Sequence, residues 1–186
     1  MARVLRIWTL SILLAAFCIG AAAASQTVDV ASHGKRFSIG SGDSKVTVLY
    51  LKGSPYEMGY AQGKLCAAEV RYLCQDVGKL MMLGMGCSPQ KADATWALYQ
   101  KHLRPDYIQE LQGMADGSGV SLTDIERMHA LPDISEWHCT FFAAIGKATR
   151  SGDLIQIRAL DYTTSAGIQK YPALIVYDPT DGVPFV

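Results

Sequence analysis

The chain has 186 residues, 49% of them hydrophobic, with 17 Lys and Arg balanced by 17 Asp and Glu. That length is about one domain's worth and the apolar share is ample for a core. A formal charge of zero leaves no field to draw nucleic acid or an anionic membrane, so neither is expected as a partner.

In chain order, Arg3 and Arg6 precede an apolar run over 7–19, and Ala22, Ala23 and Ala24 supply a small-residue cleavage site before Ser25. Residues 1–24 therefore read as a signal peptide, which implies a secreted or periplasmic protein. The run is short for a span, so stable membrane insertion is not expected, and Phe17 before Cys18 argues against lipoprotein processing. Residues 25–45 are polar, lack a clear period and read as an arm or loop.

The alternating segment VTVLYL, within 45–51, predicts a strand that Gly53 closes. Ser54, Pro55 and Glu57 then spell a helix start, with Ser54 as N-cap, Pro55 at the first helical position and Glu57 reaching back. The helix is expected to run to about Met82 with Met58, Leu65, Leu73, Val77 and Leu80 on its apolar side. Gly59 and Gly63, four apart, suit close backbone packing better than a substrate groove. Ser88 and Pro89 open a second helix through Trp96, Leu98 and Tyr99. Pro105 opens a third, with Ile108, Leu111, Met114 and Ala115 inward and Gly117 as its stop. Ser121 starts a fourth that Pro132 is expected to end, leaving 133–138 as a loop.

The segment CTFFAAIGKATRSGDLIQIRALDY begins at Cys139. It reads as a strand over 139–145, a Gly-rich connection and a returning strand over 154–160. Antiparallel pairing would bring Arg158 and Asp161 back towards Cys139. A strand over 173–177, a turn over 178–182 and the start of another strand at Phe185 follow. Runs of helices and strands in this order make the fold class α+β.

Periodicity alone favours bland readings here. A Cys in an apolar strand is more often a buried core residue than a nucleophile, and Arg158 with Asp161 would more often be a cross-strand ion pair. Beyond Cys18, the cysteines are Cys66, Cys74, Cys87 and Cys139, in a compartment where disulfides form. Cys66 and Cys74, eight residues apart on one helix, would lie about 12 Å apart and could not bond. Cys87 could fold back on Cys74, leaving Cys66 a buried thiol, or all three could be small core residues.

Three segments together carry a family resemblance. Cys139-Thr140 followed by Arg158-Ala159-Leu160-Asp161 resembles the nucleophile strand and Arg-Asn-x-Asp strand end of the N-terminal-nucleophile (Ntn) hydrolases of the linear-amide C–N type, in the penicillin acyltransferase-like peptidase C45 branch. GSPYEMGYAQG from Gly53 resembles that branch's helix-opening motif, and ELQGMADGSGVSLTDI from Glu110 its helix-turn-helix before the nucleophile. Ala159 stands where the family has Asn, and His138 where a small or acidic residue is usual.

The resemblance implies a partial αββα four-layer sandwich: a helical pro-segment or small subunit over 25–138, then the start of the catalytic core over 139–186, which looks truncated. It implies autocatalytic cleavage of a zymogen between His138 and Cys139, with Cys139 as nucleophile and its new α-amine as base. Arg158 would stabilise the thiolate, and Asp161 would hold the α-ammonium or a substrate amide. The implied activity is that of an exported hydrolase or acyltransferase acting on linear non-peptide amides through an S-acyl enzyme, with a small amide or acyl substrate, no cofactor and continued association of the cleaved fragments. The rival is a non-catalytic remnant or helical binding module of the same family.

Other chemistries fit less well. His33, His102 and His129 all precede Cys139, the reverse of the papain order. No His pair has helical metal-ligand spacing and no Cys-x-x-Cys occurs, so zinc is not expected. Gly117-Ser118-Gly119 lacks the following Lys of a phosphate loop. The Trp and Tyr residues are scattered at helical core spacing, which favours packing over ligand stacking.

Overall fold

The computed structural model describes residues 28–135, 139–161, 164 and 167–186; the leader reading over 1–24 and the scissile His138 lie outside them. The described chain is α+β. A short helix α1 (Val30–His33) leads into strand β1 (Gly34–Ile39), which pairs antiparallel with β2 (Val46–Gly53) from Gly34 opposite Leu51 to Ile39 opposite Val46. From residue 28 on, the segment expected as an arm or loop is therefore not simply that. β1 escapes a periodicity reading because its helix-facing positions are Gly34, Arg36 and Ser38, while Phe37 and Ile39 point the other way. Charges suit such an edge strand, and Arg36 has a specific task here.

That task lies at the end of α2 (Pro55–Leu65). The helix opens as expected, Ser54 accepting from the Glu57 N–H and Glu57 accepting from the Ser54 N–H, with Pro55 in the first turn. It does not run unbroken to Met82. Cys66 leaves helical geometry at φ −125°, ψ 28°, and the Leu65 carbonyl accepts from Arg36 Nη1 at 2.7 Å. Arg36 also pairs with Glu69, so one guanidinium spans both sides of the break. The chain continues as α3 (Ala67–Arg71), a π-helical stretch (Tyr72–Val77) and α4 (Gly78–Gly84). Leu80 faces solvent rather than the expected apolar side, at 65% exposure.

Next come α5 (Pro89–Tyr99), capped by Ser88, then α6 (Pro105–Ser118) and α7 (Leu122–Ser135). Two expected stops shift. Gly119, at φ 72°, ends α6, while Gly117 remains inside it. Pro132 sits within α7, whose last turn closes with Ser135 Oγ donating to the Pro132 carbonyl at 3.1 Å.

Gly117 is needed for packing. A Cβ on Gly59 would lie 2.0 Å from the Glu110 carbonyl oxygen, and one on Gly63 2.5 Å from that of Met114. Reciprocally, Cβ atoms on Gly113 and Gly117 would lie 2.1 and 2.2 Å from the carbonyl oxygens of Tyr56 and Tyr60. Two Gly-x-x-x-Gly stripes thus press the backbones of α2 and α6 together, the packing expected for Gly59 and Gly63. Tyr56 Oη donates to Asp116 at 2.7 Å across the same pair.

Strand β5 (Ala173–Pro179) completes a mixed sheet of order β1-β2-β5, running parallel to β2 from Thr47 opposite Ala173 to Gly53 opposite Pro179. Leu49 and Leu51 on one face meet Met58, Ala61, Trp96, Leu111, Ile125 and Ala130 from the helices in the main core. Val77, Met81 and Leu131 form a second cluster, against which Ile168 packs. The opposite sheet face is apolar over part of its length, carrying Phe37, Ile39, Val46, Val48, Leu174 and Val176, with Phe37 at 48% exposure and Ile39 at 49%, and polar at the other end, with Lys35, Tyr50, Lys52 and Asp178. A sheet with apolar surface on both faces is suited to a layer on each side. Past β5, Phe185 bridges antiparallel to Tyr177, where the sequence reading begins another strand. Among the described residues no helix is long and apolar enough to cross a membrane.

Candidate active site on the β3–β4 hairpin

β3 (Cys139–Ala144) and β4 (Ile155–Leu160) pair antiparallel as a separate two-stranded sheet. The return is built from turn residues: Gly146 at φ 63° and Gly152 at φ 83° bond to each other through the Gly146 N–H, and Thr149 Oγ1 donates to the Asp153 carbonyl at 2.9 Å. Cys139 lies opposite Leu160, Thr140 opposite Ala159 and Phe141 opposite Arg158.

Because paired residues share a face of the pleat, this register separates the site into two sides. Cys139, Phe141, Arg158 and Leu160 share one, where Arg158 Nη2 donates to Cys139 Sγ at 3.3 Å. Thr140 and Ala159 share the other, and there Thr140 Oγ1 donates to Asp161 Oδ2 at 3.0 Å. The residues expected to converge are gathered at one strand end, but only Arg158 touches the thiol. Asp161 is held by Thr140, one residue along. Thr140 is thus a site residue that chemistry-first reading passed over, although the Cys-Thr dipeptide was its signal. Ala159, the departure from Asn, brings no polar group to that side.

The other cysteines provide a contrast. All four described cysteines are free thiols, so the Cys74–Cys87 pairing is not formed; Cys66 and Cys87 are buried, as core residues would be. Burial pushes the Cys66 thiol up and the Cys74 thiol to about 11, which keeps both protonated and unreactive at neutral pH. Cys139 is exposed and receives a guanidinium N–H.

The hairpin's apolar side chains are uncovered. Phe142, Ile155 and Ile157 on the Thr140 side and Phe141 and Leu160 on the thiol side are all exposed, Phe142 at 60%. After the hairpin the chain returns to the body: Ile168 enters the second cluster, the Tyr171 and Tyr72 rings lie 5.5 Å apart, and β5 joins β2. The segments on either side of the 138–139 bond are therefore hydrogen-bonded to each other along the β2–β5 ladder. Among the described residues no three His, Cys, Asp or Glu are grouped to hold a metal ion.

No protein-family model matches the chain, and no solved structure matches it. It is similar to the protein dcd1A of Dictyostelium discoideum, 27% identical over 82% of this chain and 40% of the relative, and to the protein dcd1B of the same organism, 29% identical over 81% and 34%. An uncharacterized protein of Archaeoglobus fulgidus is 26% identical over 61% of this chain and 20% of its own length. The chain thus spans well under half the length of the relatives it resembles.

Proposed function

We propose that the chain belongs to an exported, self-activating cysteine Ntn amidohydrolase or acyltransferase of the linear-amide, peptidase C45-like kind. The observation that carries this reading is the Arg158–Cys139 contact at 3.3 Å beside the Thr140–Asp161 contact at 3.0 Å, both at the head of β3. The apolar part of the second face of the β1-β2-β5 sheet and the bare hairpin agree with the sheet-on-sheet layer of an αββα sandwich.

In activation the Cys139 sulfur attacks the His138 carbonyl carbon, and the peptide C–N bond breaks with its nitrogen taking a proton to become the Cys139 α-amine. Water then hydrolyses the thioester, leaving a carboxylate on His138 and a free thiol on Cys139. The α-amine has an intrinsic pKa of about 8 and serves as base for the thiol. Arg158 stabilises the sulfur anion, while Asp161, fixed by Thr140, holds the α-ammonium. In turnover the sulfur attacks a linear amide carbonyl, the amine leaves with a proton, and water or a second amine takes the acyl group from sulfur. Residues 25–138 remain as a small subunit, bound through the β2–β5 ladder and the shared core.

The test is to incubate the leader-free chain with a panel of N-acyl amides and map the peptide that begins at Cys139 by mass spectrometry. An acyl adduct on Cys139, absent from Cys139→Ala, is the expected result. No adduct with any member, and none when Arg158 is retained but the substrate is replaced by an activated thioester, would favour a non-catalytic remnant.

A further inference from the structure

A second cavity lies away from the hairpin, between the helices and β5, with a volume of about 520 Å³. That volume is in the range of small-molecule sites. Neither Cys139, Arg158 nor Asp161 lines it, so it does not depend on the reading of the hairpin. Its walls are aromatic and aliphatic: Tyr99 at the end of α5 and Leu103 after it, Tyr107, Leu111 and Met114 on α6, and Phe185 stacked on Tyr177 at 4.8 Å.

The cavity offers hydrogen-bond acceptors. Gln62 Oε1 is buried with no hydrogen-bond partner among the described residues. Glu110, partly buried, lines the cavity beside Tyr177. His129 Nδ1 lies 2.9 Å from the Ile125 carbonyl oxygen, which can only accept, so Nδ1 carries a hydrogen. No Lys or Arg is among the described residues that line the cavity. An orphan buried acceptor is costly unless a donor reaches it. Aromatic faces around an orphan acceptor and a carboxylate suit a positive charge.

We propose that this cavity binds an organic ammonium ion, its N–H groups meeting Gln62 Oε1 and the Glu110 carboxylate and its apolar body resting between Tyr107, Met114 and Phe185. An anionic ligand would face Glu110 with no compensating cation. A neutral ligand would fill the walls but leave the acceptor set without charge.

Isothermal titration of the full chain with three probes of one shape tests this: 2-phenylethylammonium, 2-phenylethanol and 3-phenylpropanoate. The ammonium is expected to bind saturably and about tenfold or more tighter than the alcohol, with the carboxylate weakest. Glu110→Gln should reduce ammonium affinity about tenfold and leave the alcohol unchanged. Gln62→Leu, which alters no charge, should reduce ammonium affinity about threefold and decides the matter if Glu110→Gln does not fold. The proposal is overturned if the alcohol binds as tightly as the ammonium, if no probe saturates, or if ammonium affinity is unmoved by the folded variant.

Discussion

The helix-and-sheet body and the β3–β4 hairpin are built on opposite principles. In the body, apolar side chains are enclosed and backbones touch: Leu51 and Ile125 are fully buried, and four glycines let α2 and α6 meet without intervening side chains. In the hairpin, every β4 side chain is exposed, yet the polar contacts that suggest chemistry, Arg158 to Cys139 and Thr140 to Asp161, are formed. Stability and the proposed reactivity therefore reside in different parts of the chain. Substitutions should separate them.

The largest expected effect is in the body. Leu51→Ala empties a site between the sheet and α2 and should cost about 3–4 kcal/mol in urea denaturation. Gly59→Ala follows, because its methyl would meet the Glu110 backbone at 2.0 Å and the helices must part; a loss of about 3 kcal/mol is expected from the same measurement. If Leu51→Ala were as stable as the parent, the described packing of the sheet on the helices would be wrong, and if Gly59→Ala were, that of α2 on α6 would be.

Ser54→Ala should cost about 1 kcal/mol by removing the cap at the Glu57 N–H. Glu110 adds a pH dependence of known sign. Burial raises its folded pKa above the ordinary Glu value, so on raising the pH the unfolded state loses its proton first. This group's contribution is thus fully present below the unfolded pKa and falls until the raised folded pKa is passed. Glu110→Gln should remove that fall, so its stability relative to the parent should improve between pH 4 and pH 7 in parallel denaturant titrations. A constant difference across that range would contradict the burial assigned to Glu110.

The smallest effect should be on the hairpin. Phe142→Ser removes an exposed ring and is expected to change body stability by less than about 0.5 kcal/mol. A loss of several times that would mean the hairpin is part of the body's cooperative unit and would close the distinction drawn above.

What the sequence disclosed follows from the range of the forces involved. The start of α2 was legible because Ser54, Pro55 and Glu57 act within one turn, and the same holds for Ser88 with Pro89 at α5. The pairing of β3 with β4 was legible because its partners are close in sequence. β1 was not, since its inward residues Gly34, Arg36 and Ser38 take their meaning from Ala61, Leu65 and Glu69, far along the chain. Gly117 resembled a stop because its packing partner, Tyr60 on α2, is distant, and the true stop Gly119 is marked only by its left-handed backbone. In the candidate site, Cys139, Arg158 and Asp161 could be named from spacing, but the pleat decides that Asp161 bonds Thr140 rather than the thiol.

The central claim, that Cys139 is a self-activating nucleophile, is tested most directly by the intact mass of the purified leader-free chain beside Cys139→Ala. The account predicts two fragments divided between His138 and Cys139 in the parent, still co-eluting through the β2–β5 ladder under native conditions, and a single uncut chain in the variant. An uncut parent chain, or an equally cut variant, would contradict it.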